Sequence, residues 1–191
     1  MKKIFIAIAI VAFSTTGAQA QTSFGLKGGM TSSNLKFSGS GLTVSLSSKI
    51  GFYGGAFAEV GVSENFAVQP EVIYALLGAK ANVMNQTSKL DLSYVNIPVL
   101  AKYKSSGFSV FAGPQIGILV SAKDTDGTSS KEDYKSTDFS GIIGAGYTIM
   151  NGLGFDARYQ LGFNNIVKDT GGQGTVKSNA FYFGVHYKFA K

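Results

Sequence analysis

Bulky apolar residues recur at every second position through most of this chain. The C-terminal segment shows it best. In Phe181-Tyr182-Phe183-Gly184-Val185-His186-Tyr187-Lys188-Phe189 the odd positions are aromatic or branched, and Tyr182, Gly184, His186 and Lys188 lie between them. A period of two sends the two sets to opposite faces of a β-strand. Eight ribbons of this kind are predicted, at about 22–31, 49–62, 66–78, 90–103, 108–121, 138–149, 153–165 and 179–189. No helical period competes with them, and the 25 glycines would weaken helices in any case.

The predicted connections alternate in length. Ser63-Glu64-Asn65, Lys104 to Gly107, and Met150-Asn151-Gly152 are short, and Asn-Gly favours the left-handed dihedrals of a tight hairpin. The segments 32–48, 79–89, 122–137 and 166–178 are long and polar, and are read as loops. Short turns at one end and long loops at the other mark a transmembrane β-barrel.

Alternation does not say whether the apolar face points inward or outward. Volume does. One face collects Phe24, Leu26 and Met30, then Val68, Val72 and Tyr74, then Val95, Ile97 and Val99, and so on through every ribbon. An eight-stranded lumen is only wide enough to be filled by side chains or to hold one small ligand. It has no room for several bulky groups from each strand. The other face carries Gly25, Gly29, Gly55, Gly113, Gly144, Gly146 and Gly184 with a few charges, so it is assigned to the lumen, and the bulky face to lipid. Aromatics near the ribbon ends, Tyr53, Tyr74, Tyr94, Tyr103 and Tyr147 among them, are expected to form interfacial girdles.

The N-terminus adds a compartment. Lys2 and Lys3 precede an apolar run from Ile4 to Phe13, and a small-residue stretch ends in Ala18-Gln19-Ala20. This is the layout of a secretory signal peptide, with cleavage expected between Ala20 and Gln21. Its apolar run is too short to span a bilayer, which takes roughly 20 residues. The expected organisation is therefore a signal peptide over 1–20 and one barrel domain over 21–191, exported to a bacterial outer membrane. Losing Lys2 and Lys3 lowers the net charge of +6 by two. The remaining bases are scattered, which argues against nucleic acid as a partner. There is no cysteine, so stability comes without disulfides.

Several segments resemble the PorT-like outer-membrane β-barrel family, a group of small OmpA/OmpX-type barrels. They are Gly25-Leu26-Lys27-Gly28-Gly29, Val68-Gln69-Pro70-Glu71-Val72-Ile73-Tyr74, Tyr94-Val95-Asn96-Ile97-Pro98-Val99-Leu100-Ala101-Lys102-Tyr103, Gly113-Pro114-Gln115-Ile116-Gly117, Ala157-Arg158-Tyr159-Gln160-Leu161-Gly162 and Tyr187-Lys188-Phe189. The resemblance implies an eight-stranded antiparallel up-and-down barrel in the outer membrane. It also implies the barrel-assembly machinery as a partner during biogenesis, although Ala190 and Lys191 follow the terminal Phe189 here. Acidic residues are common in the family where Asn96 stands. Most members carry no assigned activity, so no reaction follows.

Candidate chemistry is sparse. His186 is the only histidine, and hydrolytic work would need a nucleophile and an orienting acid within hydrogen-bond reach. A lumen histidine satisfied by its neighbours is expected instead. Asp124-Thr125-Asp126-Gly127 opens like a calcium loop, but the later ligands do not follow. Gly171-Gly172-Gln173-Gly174 lacks the strand and helix that flank a phosphate-binding loop. No catalytic residue, metal or cofactor is predicted.

The lumen face does carry charge: Lys27, Glu59, Glu71, Lys102, Asp156, Arg158 and Lys188, with His186 among them. An unpaired ion in a narrow lumen would cost several kcal/mol, so these groups are expected to pair into a structural plug. The expected role is non-enzymatic: a structural or surface-interaction barrel meeting membrane lipid on its wall and an unknown ligand on its four long loops. A small-solute or ion channel and a lipid-modifying enzyme are the alternatives.

Overall fold

Each predicted ribbon forms a strand, and the last returns to pair with the first. The protein is seen in a computed structural model that describes residues 22–39, 42–45, 47–83, 86–123, 131–168 and 175–189. The strands are β1 (Thr22–Gly39), β2 (Leu42–Ser45), β3 (Ser47–Gly61), β4 (Phe66–Val83), β5 (Gln86–Ser105), β6 (Phe108–Lys123), β7 (Thr137–Thr148), β8 (Leu153–Gly162) and β9 (Thr175–Lys188). A 3-10 turn at Lys131–Asp133 precedes β7. The short β2 only extends the first hairpin, pairing with β1 from Lys36↔Ser45 to Gly39↔Leu42. The other eight strands pair antiparallel in chain order, and β1 pairs with both β3 and β9. The fold is a closed, all-β, eight-stranded antiparallel barrel. Closure leaves none of these eight an edge strand, as hydrocarbon requires.

The short turns follow from local sequence. Ser106 and Gly107 join β5 to β6 with φ of 49° and 84°, the paired left-handed dihedrals of a two-residue hairpin. Gly152, φ 86°, does the same service between β7 and β8. At the other end two expected loops prove to be mostly strand. The ladder runs up to Gly39 in place of 32–48, and from Val83 straight to Gln86 in place of 79–89. The apolar stripe stops lower down because it need only span the hydrocarbon, whereas backbone pairing continues past it. The segments 124–130 and 169–174, and with them the calcium-like and glycine-rich stretches, lie outside the described residues, as do residues 1–21.

The two faces separate as volume requires. Phe24, Phe52, Val72, Val99, Phe155 and Phe183 are exposed on the outer wall. Near the short turns, Phe66 packs tilted against Tyr103 (5.1 Å) and Tyr187 edge-on against Phe189 (5.7 Å). Tyr53 and Tyr94 are a correction: both are buried in the lumen, not in a girdle. The lumen also takes Phe57, Ile73, Leu100, Phe111, Ile142 and Tyr182, more bulk than the sequence pattern assigned to it. Glycines make the room. A Cβ at Gly25 would collide with the Phe57 ring, at Gly144 with Phe111, and at Gly184 with the Tyr53 hydroxyl. Lumen glycines and inward rings therefore share one volume.

Candidate functional site in the barrel lumen

The charged residues of the lumen face converge on one network. On β1, β4 and β8 the side chains of Lys27, Glu71, Asp156 and Arg158 all point inward, because each falls on the same parity as the small residues. The Lys27 ammonium donates to Glu71 Oε1 (2.9 Å) and lies 3.7 Å from Asp156 Oδ2. Arg158 bridges the same two acids, through Nη1 to Glu71 Oε2 (2.7 Å) and through Nη2 to Asp156 Oδ1 (3.0 Å). Glu71 is 2% and Arg158 3% exposed, so this cluster sits out of bulk water. Two cations face two carboxylates, and rings cover the cations: Lys27 lies over Phe57 (5.3 Å) and Arg158 over Phe111 (5.2 Å). A guanidinium suits this place because its planar fork can serve two carboxylates at once.

A second group lies nearer the short turns. Glu59 accepts from Lys102 (2.9 Å), Lys104 (2.7 Å) and, at 3.5 Å, Lys188. Gln69 joins the groups, donating to Glu71 Oε1 (2.6 Å) while its own Oε1 accepts from Lys102 (3.0 Å). Every residue of the predicted lumen cluster is thus in one connected set. Lys104 and Gln69 were not foreseen. The predicted ribbon through Lys102 ends at Tyr103, one residue before Lys104, and Gln69 is the same-face neighbour of Glu71. Carrying the period of two one step further reaches both.

His186 stands between Asp156, whose Oδ2 is 3.3 Å from Nδ1, and Thr148, whose Oγ1 is 3.0 Å from Nε2. Nδ1 faces the Asp156 carboxyl and Nε2 the Thr148 hydroxyl, the donor and acceptor at each following the tautomer. Hydroxyl, imidazole and carboxylate in a row are the parts of a nucleophilic relay. The backbone N–H groups beside the hydroxyl are turned to the hairpin: Thr148 bonds to Gly107, Ile149 to Leu153 and Gly152 to Ile149.

Above the ions the lumen changes character. A layer of amides and hydroxyls comes first. Gln115 donates to Ser140 (3.0 Å) and Gln160 (3.1 Å), and the Tyr182 hydroxyl donates to Gln160 Oε1 (2.7 Å). Beyond it Leu77, Leu92, Tyr94, Leu119, Ala122, Ile166 and Val176 pack into one apolar cluster. Ile166, from the connection after β8, is fully buried and folds across this end; the main-chain N–H of Lys135 bonds to its carbonyl. Among the described residues, the buried Tyr53 Oη, Tyr94 Oη and Asp138 Oδ1 have no hydrogen-bond partner. No group of three or more metal-ligating side chains assembles among the described residues.

Comparison with known proteins places this arrangement. The family model for the outer membrane protein beta-barrel domain matches residues 18–168. A search of curated protein sequences finds no match. Among solved structures, Neisserial surface protein A aligns with a TM-score of 0.60 at 17% identity, covering 88% of this chain and 99% of its own. Ail of Yersinia pestis aligns at 0.48 and 15% identity, covering 90% and 100%. OprG of Pseudomonas aeruginosa aligns at 0.47 and 13%, covering 90% and 98%. At 17% identity the likeness to Neisserial surface protein A is one of fold.

Proposed function

Because this chain belongs to the outer membrane protein beta-barrel domain family, we propose that it is a plugged, non-enzymatic anchor presenting its loop end to a ligand at the cell surface. The observation that carries this reading is that two unlike barriers fill the lumen in series, the ion network and the apolar cluster under Ile166. An eight-stranded barrel filled in this way leaves no continuous path for solute. Beside the row at His186 the N–H groups of Thr148, Ile149 and Gly152 are spent on turn carbonyls and not on an oxyanion, which argues against lipid hydrolysis. Within the family, the segments from Gly25-Leu26-Lys27 to Tyr187-Lys188-Phe189 favour the PorT-like group.

In this reading the signal peptide is removed after Ala20, and the barrel-assembly machinery inserts the chain with both termini and the three short turns in the periplasm. Protein sequencing of the mature product should begin at Gln21. Protease added to whole cells should cut within 122–137, and cutting at Asn151-Gly152 would reverse the orientation. Deleting residues 124–130 should leave a heat-modifiable barrel and abolish binding to the surface partner. Steady conductance of the unaltered protein in planar bilayers would replace the anchor with a channel. Lipid turnover lost on His186→Ala would replace it with an enzyme.

A further inference from the structure

The charge of the lumen is not evenly balanced. Around Glu71 two cations meet two carboxylates and the account closes. Around Glu59 three ammonium groups meet one carboxylate. These lysines line a cavity of about 1220 Å³ at the turn-end mouth, with Ser63, Ser105 and Ser106 on its wall. The Lys104 and Lys188 side chains are each 31% exposed, and Lys188 reaches Glu59 only at 3.5 Å. Their remaining N–H donors therefore face the cavity.

We propose that this vestibule is a binding site for a phosphate dianion, free or carried as the monoester of a small solute. The excess of two positive charges around Glu59 is the complement of a dianion. A concave, low-dielectric mouth lined by one sign of charge focuses its field on such a ligand. Lysine acts toward phosphate as a compact point charge with rotatable donors, so three of them can close on one tetrahedral group from different strands. The volume exceeds what a bare ion needs and lies somewhat above the usual range of small-molecule sites, about 300–1000 Å³. Glu64 also lines the cavity, but it is exposed on the turn, where salt screens it.

The test is calorimetric titration of the barrel folded in zwitterionic detergent, with inorganic phosphate, glycerol 3-phosphate and chloride at matched ionic strength. Saturable binding of phosphate but not chloride is expected, and tighter binding of glycerol 3-phosphate would identify the ester as the ligand form. The Lys104→Gln/Lys188→Gln double variant should still fold, by its gel shift on heating, and bind phosphate at least about tenfold more weakly, as losing two charges near a dianion requires. Should the double variant fail to fold, Lys188→Gln alone should weaken binding several-fold. Absence of saturable phosphate binding, or equal binding by the folded variants, overturns the proposal. The result does not depend on which way the barrel faces or on the loop ligand, so it stands or falls apart from the anchor reading.

Discussion

The two ends of the lumen solve the same problem with opposite chemistry. Toward the short turns the interior is filled by paired ions joined through Gln69; toward the loops it is filled by Leu77, Leu92, Tyr94, Leu119, Ile166 and Val176. An apolar cluster tolerates small shifts of its members, since dispersion is non-directional. A buried ion network does not: each group depends on all the others being present and correctly aimed. The ion half should therefore be the more brittle, and the apolar half the better seal.

That contrast can be broken most sharply at Arg158. Arg158→Ala takes the guanidinium from Glu71 and Asp156, leaving Lys27 to neutralise both, and should cost about 3–5 kcal/mol, read as a fall in the denaturant midpoint of the detergent-folded barrel. Glu71→Ala should do comparable harm, yet the pair together should fall well short of additive because they share one network. An additive double mutant would mean the ions are solvated individually. Leu119→Ala, in the apolar half, should cost about 2–4 kcal/mol by opening a cavity. Combined with Arg158→Ala it should add within about 0.5 kcal/mol, because the two sites have no shared partner. Coupling between them would erase the division.

The outer wall offers a third comparison. Val99→Arg places a charge on the lipid face and should cost about 2–4 kcal/mol, measured by refolding into vesicles. The smallest effect belongs to Lys104→Gln. Its partner Glu59 keeps Lys102, and the side chain is partly in water, so less than about 1 kcal/mol should be lost. A larger loss would show that the mouth is drier than its exposure implies.

Much of this barrel is legible in sequence because lipid imposes a simple rule. Parity alone assigns Phe24, Val99, Phe155 and Phe183 outward and Lys27, Glu71 and Arg158 inward, as the structure has them. Parity sets Tyr53 and Tyr94 inward as well, and the girdle expectation for them goes against it because a narrow lumen offers no evident room for a ring. An inward tyrosine is admitted only where another strand supplies a gap, as Gly184 does for Tyr53, and cross-strand register is invisible in a single sequence. Register also decides who pairs with whom: Arg158 reaches Glu71 across the lumen from a strand four removed in the sheet. The hairpin extensions toward Gly39 and Val83 were missed for a different reason. Outside the hydrocarbon the outer face of a strand meets water and need not be apolar, so the alternation that announces a ribbon fades while its ladder goes on.

The seam between β1 and β9 holds a consequence for assembly. It runs from Gly25↔Lys188 to Ser38↔Thr175 and sets Lys27 directly opposite His186. The ion cluster draws Lys27 from the first strand, Glu71 from β4, Asp156 and Arg158 from β8, and His186 from the last. No nascent or truncated chain possesses it. Until the C-terminal strand arrives, Lys27 and Glu71 have an open side and keep their water, and only the final zippering step drives that water out. Contacts this distant in sequence are slow to form because a large loop entropy comes first. The network thus acts as a latch set by completion. A chain shortened by even its last strand would lose the electrostatic half of its interior at once, and present the cell with an open sheet.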